Sequence, residues 1–186
     1  EIFDRVKEAY EILSDPAKKQ EWLNSGGAKS RAAAEEAAAA KVQAVLTADA
    51  YWRNGVSMLN AGSIKGAQAA FQKAIDLYPE ELEYQICLAY TQFRLNHPRN
   101  RGVWEKAERT IMEAVKKNDK LDRGYYFLGR IARAKERPDR AKRFFAKAVK
   151  INPRNVDARK GYLAIKAEEQ KEDEGMFASL FSRFKR

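Results

Sequence analysis

The sequence predicts an all-α fold, and three observations carry that prediction. The first residues place apolar side chains at helical spacing. Residues 28–54 hold neither glycine nor proline and are rich in alanine. Three stretches between residues 67 and 153 repeat one pattern of small and bulky residues. Period, more than composition, signals each of these parts.

Composition narrows the class. The chain has 186 residues, with 36 Lys+Arg against 26 Asp+Glu and a formal net charge of +10. At 45% hydrophobic residues it has apolar side chains enough for a core. The single cysteine, Cys87, excludes an internal disulfide, and the single histidine, His97, excludes a histidine-based triad. No Cys/His cluster has zinc spacing, and no run of about 18 apolar residues forms a membrane span. Neither a nucleophile–base pair nor a phosphate loop is visible. The expectation is therefore a non-enzyme without metal or cofactor. No signal peptide opens the chain, so the expected location is cytoplasmic.

In the first segment Ile2, Phe3, Val6, Ala9, Tyr10 and Leu13 fall on one helical stripe. Ser14-Asp15-Pro16 breaks it, because proline disfavours helical backbone before it and suits the first turn of the next helix. A short helix from Ala17 to about Leu23 follows, and Asn24-Ser25-Gly26-Gly27 stops it. The pattern F-x-x-V-x-E-A-Y-E-x-L-S-D-P runs from Phe3 to Pro16, with Trp22 beyond it. It resembles the last two helices of a J-domain, the DnaJ-type co-chaperone module. The resemblance implies a parent protein that engages Hsp70 through a His-Pro-Asp tripeptide. That tripeptide would lie upstream of Glu1, and His97-Pro98 is followed by Arg99 and does not supply it. Residues 1–27 are read as the C-terminal remnant of such a domain.

Residues 28–47 are read as a linker helix. Alanine and glutamate in Ala32–Ala40 favour helix, and Ser30 is a candidate cap at its start. Its expected role is a semi-rigid spacer rising about 1.5 Å per residue.

The repeats decide the architecture. Ala67-x3-Phe71-x2-Ala74-x4-Pro79, Ala107-x3-Ile111-x2-Ala114-x4-Asp119 and Ala141-x3-Phe145-x2-Ala148-x4-Pro153 align. Each follows a first helix carrying a small residue, Gly55, Ala89 or Gly129, where two helices approach closely. The middle repeat is six residues longer, and the extra length is expected in the loop Asn96–Gly102. The pattern is similar to the tetratricopeptide repeat, a helix–turn–helix unit that stacks into a superhelix. Repeats are placed at about 48–81, 82–121 and 122–155, with a capping helix at 156–174. Asp119 stands where that repeat usually has proline, and Gln85 and Gln92 stand at usually aromatic positions. In the cap, Tyr162 and Ile165 are expected inward, and Glu168, Glu169 and Lys171 outward.

The resemblance implies a concave groove lined by the first helices. Its expected wall comprises Trp52, Val56 and Leu59, then Ile86, Tyr90 and Phe93, then Arg123, Tyr126, Arg130 and Arg133, with Glu83 beside them. One end is apolar and the other cationic. Aromatic and arginine side chains dominate binding energies, and arginine forks onto carboxylates. The expected ligand is a partner peptide with an apolar anchor and acidic residues. Family members that clamp acidic Hsp70 or Hsp90 termini need Lys and Asn at positions occupied here by Trp52 and Val56. That partner is not carried over.

Residues 175–186 are read as an amphipathic basic tail, with Phe177, Leu180, Phe181 and Phe184 on one helical face. Docking onto a protein, packing on its own repeats and weak attachment to a membrane surface are the alternatives. Residues 94–160 carry 21 Lys+Arg against 8 Asp+Glu. A solvated basic face is favoured there over nucleic-acid binding. The leading functional expectation is an interaction module of a J-domain co-chaperone. A scaffold or signalling adaptor, and a self-assembly module forming homo-oligomers, are the alternatives.

Overall fold

Asp15 and Pro16 set the first corner of the chain. Helix α1 (Ile2–Ser14) ends there and α2 (Pro16–Asn24) begins. The Asp15 carboxylate accepts the amide of Ala17 at 2.8 Å, filling an orphan donor of the new helix. This computed structural model describes residues 2–24 and 27–184, with side chains at 6–24, 30, 32–171 and 174. Among the described residues there are nine helices and no strand. The chain divides into two compact units, Glu1–Leu46 and Thr47–Arg186.

In the first unit α1 packs against α2. Val6, Tyr10 and Leu13 remain exposed, Tyr10 at 73%. Helix α3 (Gly27–Asn60) contains the alanine-rich stretch, and its residues from Thr47 onward belong to the second unit. It starts at Gly27, so Ser30 sits inside the first turn and does not cap it.

The second unit is a series of helical hairpins. The end of α3 pairs with α4 (Ile64–Leu77), α5 (Leu82–Asn96) with α6 (Arg101–Lys117), and α7 (Asp122–Ala134) with α8 (Pro138–Ile151). Helix α9 (Val156–Phe184) packs on α7 and α8. It continues through Gly175, so the boundary expected near residue 174 is absent from the backbone. The tail positions Phe177, Leu180, Phe181 and Phe184 lie outside the described side chains.

Small residues let the hairpins close. A Cβ on Gly55 would sit 2.6 Å from the Phe71 ring, and one on Gly129 2.6 Å from the Phe145 ring. Both rings are fully buried. Gly161 of α9 meets the same Phe145 ring, with 2.8 Å left for a Cβ. Phe145 is thus held between a glycine of its own hairpin and one of the end helix. Ile86, Ile111, Phe127, Leu128 and Ile131 fill the space between the middle and last hairpins.

The six extra residues of the middle repeat do not form the expected long loop. Against the last hairpin, α5 is longer by two residues, α6 by three and the connection by one. The added turn is fixed by aromatic contacts. His97 stacks on Trp104 at 4.3 Å, and the Trp104 indole donates to the Asn96 carbonyl at 3.3 Å. Asp119 in place of proline leaves its turn unchanged. Asn118 and Asn152 occupy the same turn position, with φ/ψ of −136°/102° and −131°/95°. Each side chain accepts the amide two residues on, at 3.0 Å. The asparagine makes the turn, so the next residue need not be proline.

Candidate peptide-binding groove

Helices α3, α5 and α7 present one face to a common cavity of about 730 Å³. Val56 and Leu59 come from α3, Tyr90 and Arg94 from α5, and Tyr126, Phe127 and Arg130 from α7. The α8–α9 connection and the first residues of α9 close its other side. There Asp122 accepts from Asn152 at 3.0 Å and from Asn155 at 2.8 Å, while Asn155 caps α9 by accepting the Ala158 amide at 2.9 Å. This polar network ties the last hairpin to the end helix. A second cavity of about 300 Å³ adjoins the same helices and is lined by Tyr90, Phe93, Arg94, His97, Arg130, Arg133 and Ala134.

The floor is aromatic. Tyr90 stacks on Phe127 with centroids 4.1 Å apart and planes 6° from parallel. Phe93 and Tyr126 extend this layer to either side.

The sequence-predicted wall residues separate into four groups. Val56, Leu59, Tyr90, Arg123, Tyr126 and Arg130 line the larger cavity, and Phe93 and Arg133 the smaller. Trp52 stands outside both, beside Glu83 and Tyr84. Ile86 is a correction: it is fully buried and offers the groove no surface. Helix α5 is covered by α4, α6 and α7, so most of its circumference is core. Arg94 was absent from the predicted wall. It lines both cavities, and its position one residue after Phe93 was the available signal.

The groove arginines differ in what already holds them. Arg123 lies over the Trp52 ring at 5.3 Å and faces the Glu83 carboxylate at 3.7 Å. Burial pushes the Glu83 carboxyl above its ordinary value, against the pull of Arg123. Arg133 is paired with Glu168 of α9. Arg130 donates to the Tyr126 hydroxyl at 2.8 Å, a neutral acceptor. Burial raises the Tyr126 phenol, with Arg130 opposing. The Arg94 guanidinium has no partner among the described residues. Cys87 lies in the core beside this layer, and burial pushes its thiol up to about 12. Among the described residues no cluster of His, Cys, Asp or Glu has the makings of a metal site, and no helix is long and apolar enough to cross a membrane.

Residues 122–155 match the tetratricopeptide repeat family. Among solved structures, the chain is similar to a tetratricopeptide-repeat protein of Thermus thermophilus, at 21% identity and TM-score 0.53, covering 68% of each chain. It is similar to the Sgt2 tetratricopeptide-repeat domain of Aspergillus fumigatus, at 16% identity and TM-score 0.52, covering 69% of this chain and 83% of that one. It is also similar to the OM64 tetratricopeptide-repeat domain of Arabidopsis, at 17% identity and TM-score 0.51, covering 67% and 98%. No curated protein matches the sequence. At these identities the likeness speaks for the fold. The hairpins of the second unit have the tetratricopeptide-type fold, and residues 122–155 carry the repeat itself.

Proposed function

We propose that this chain is a protein–protein interaction module that binds a segment of a partner in the groove of α3, α5 and α7. The carrying observation is the cavity itself, which is lined by Val56 and Leu59 from α3 and by Arg94 and Arg130 from α5 and α7. Its aromatic floor is rigid, because Tyr90 and Phe127 are locked face to face. A preformed floor lowers the ordering cost of binding. The ligand that suits it has an apolar anchor and carboxylates. Trp52 and Val56 at the clamp positions disfavour a terminal acidic motif of the Hsp90 kind.

In this reading helices α1 and α2 are the C-terminal part of a J-domain, and the groove recruits a client or partner to Hsp70. The support is the Phe3–Pro16 pattern, together with an Asp15-capped helix break where that pattern requires one. The chain then works as part of a co-chaperone in the cytoplasm.

The groove reading is tested by capture of a partner from cell extract with the intact chain and with Val56→Glu. Val56 is half-buried on the cavity wall, and the new carboxylate repels an acidic apolar segment. A bound protein that disappears with Val56→Glu, while the helical spectrum is unchanged, is the expected result. Equal capture by both chains rules the groove out. The J-domain part is tested by Hsp70 ATPase stimulation with the full-length parent, which must depend on a His-Pro-Asp element upstream of Glu1.

A further inference from the structure

The geometry points to a mid-segment carboxylate site formed by Arg94 and Arg130, an inference that rests on the groove reading and specifies its ligand. Four arginines from α5 and α7 line the two cavities, and two of them are already neutralised. Arg123 faces Glu83, and Arg133 is held by Glu168. Arg130 donates to the neutral Tyr126 hydroxyl, which orients its guanidinium without cancelling its charge, and it feels the Asp157 carboxylate across the cavity without an ion pair to it. Arg94 has no partner among the described residues. The larger cavity also holds Asp122 and Asp157. Asp122 is occupied by two asparagine amides. Arg154 of the α8–α9 connection also lines the larger cavity without an ion pair among the described residues, but of the unpaired arginines only Arg94 and Arg130 border both cavities.

Placement decides what kind of anion this pair reads. Tyr90, Arg94 and Arg130 belong to both cavities, so the two arginines stand where the cavities meet. A bound segment that fills both spaces passes them with residues on either side. The carboxylate they hold is then a Glu or Asp side chain inside the segment, not the end of a chain. The smaller cavity beyond it has about 300 Å³ over Tyr90, Phe93 and His97. That space takes one large apolar side chain, with an aromatic ring favoured by the stacked floor. The occupant is an internal acidic residue of a partner protein, next to an aromatic or large aliphatic residue.

The test uses a short fluorescein-labelled peptide, acetylated and amidated, with one central glutamate followed by phenylalanine. It is titrated into the intact chain, followed by anisotropy. Replacing either arginine by glutamine (Arg94→Gln, Arg130→Gln) is expected to weaken binding about tenfold or more, the usual cost of a lost charged hydrogen bond. Arg94 and Arg130 are both exposed residues outside the core, so the fold and its circular dichroism stay unchanged. Replacing the peptide glutamate by glutamine is expected to cost as much. Binding that ignores both arginine substitutions yet is lost in Val56→Glu overturns the carboxylate site and leaves the groove reading standing. A glutamine peptide with a free C-terminus that binds as well as the amidated glutamate peptide also overturns it. No binding by any of these peptides overturns both.

Discussion

Tyr90 of α5 and Phe127 of α7 stack face to face at 4.1 Å, and this contact joins the middle hairpin to the last one at the floor of the groove. It serves the fold and the site at once. Tyr90 is buried in the core cluster while its edge lines both cavities. Tyr90→Phe keeps the stack and is expected to cost little. Tyr90→Ala leaves a hole beside Phe127 and Phe93 and is expected to destabilise by about 3 kcal/mol. Urea unfolding followed by circular dichroism separates the two variants.

The grip on Phe145 gives a second prediction. A methyl group on Gly129 would meet the ring at 2.6 Å, closer than such contacts tolerate. Gly129→Ala must displace the Phe145 ring, which already packs so closely on Gly161 that a Cβ added there would lie 2.8 Å from it. The expected loss is about 1–3 kcal/mol in the same unfolding measurement.

Two corresponding turns predict opposite signs. Gly62, between α3 and α4, has φ of 82°, and Glu136, between α7 and α8, has φ of 55°. Left-handed backbone strains any side chain with a Cβ. Glu136→Gly is expected to raise stability by about 0.5–1 kcal/mol, and Gly62→Ala to lower it by a similar amount. Thermal unfolding of the pair checks the direction.

The ion pairs are expected to differ with burial. Glu108 accepts from Lys135 at 2.5 Å and pairs with Arg140 at 3.2 Å, with Glu108 and Lys135 side chains 16% and 14% exposed. Glu108→Gln is expected to cost about 1–2 kcal/mol, because two donors lose their charged acceptor. Arg133 and Glu168 are three times as open, and Arg133→Gln is expected to change stability by less than about 0.5 kcal/mol. Denaturant midpoints at low and high salt distinguish the two cases.

Cys87 predicts a pH dependence of known sign. Burial keeps the thiol protonated, with its value raised from 9.0 to about 12. The folded state holds this proton more tightly than the unfolded chain. The stabilisation is complete below pH 9 and is lost as pH rises towards 12. A thiol reagent at pH 8 is expected to label Cys87 only after denaturant is added. Comparison with Cys87→Ala isolates this cysteine from the other groups that titrate at high pH.

Much of this was legible in the sequence for a physical reason. Alanine and glycine at fixed offsets from Phe71 and Phe145 record where two helices touch, and such contacts leave a periodic trace. The Ser14-Asp15-Pro16 break was legible because it is local chemistry, a cap and a restricted backbone. Three features were less visible. The extra residues of the middle repeat lengthened α5 and α6, because His97 and Trp104 offered a stacking contact that no period encodes. Ile86 held a nominal groove position but faces the core, since α5 is covered on several sides. The partners of Arg123 and Arg133 lie 40 and 35 residues away, on Glu83 and Glu168, so spacing alone did not reveal which cations are taken.

The most direct test of the account is chemical-shift mapping of the isotope-labelled chain as the glutamate–phenylalanine peptide is added. The groove account predicts that the largest shifts cluster on Tyr90, Arg94, Tyr126 and Arg130, with smaller ones at Val56 and Leu59. Shifts centred instead on the outward-facing cations of α6 and α8, such as Arg109 and Arg143, with α5 and α7 unmoved, would contradict it.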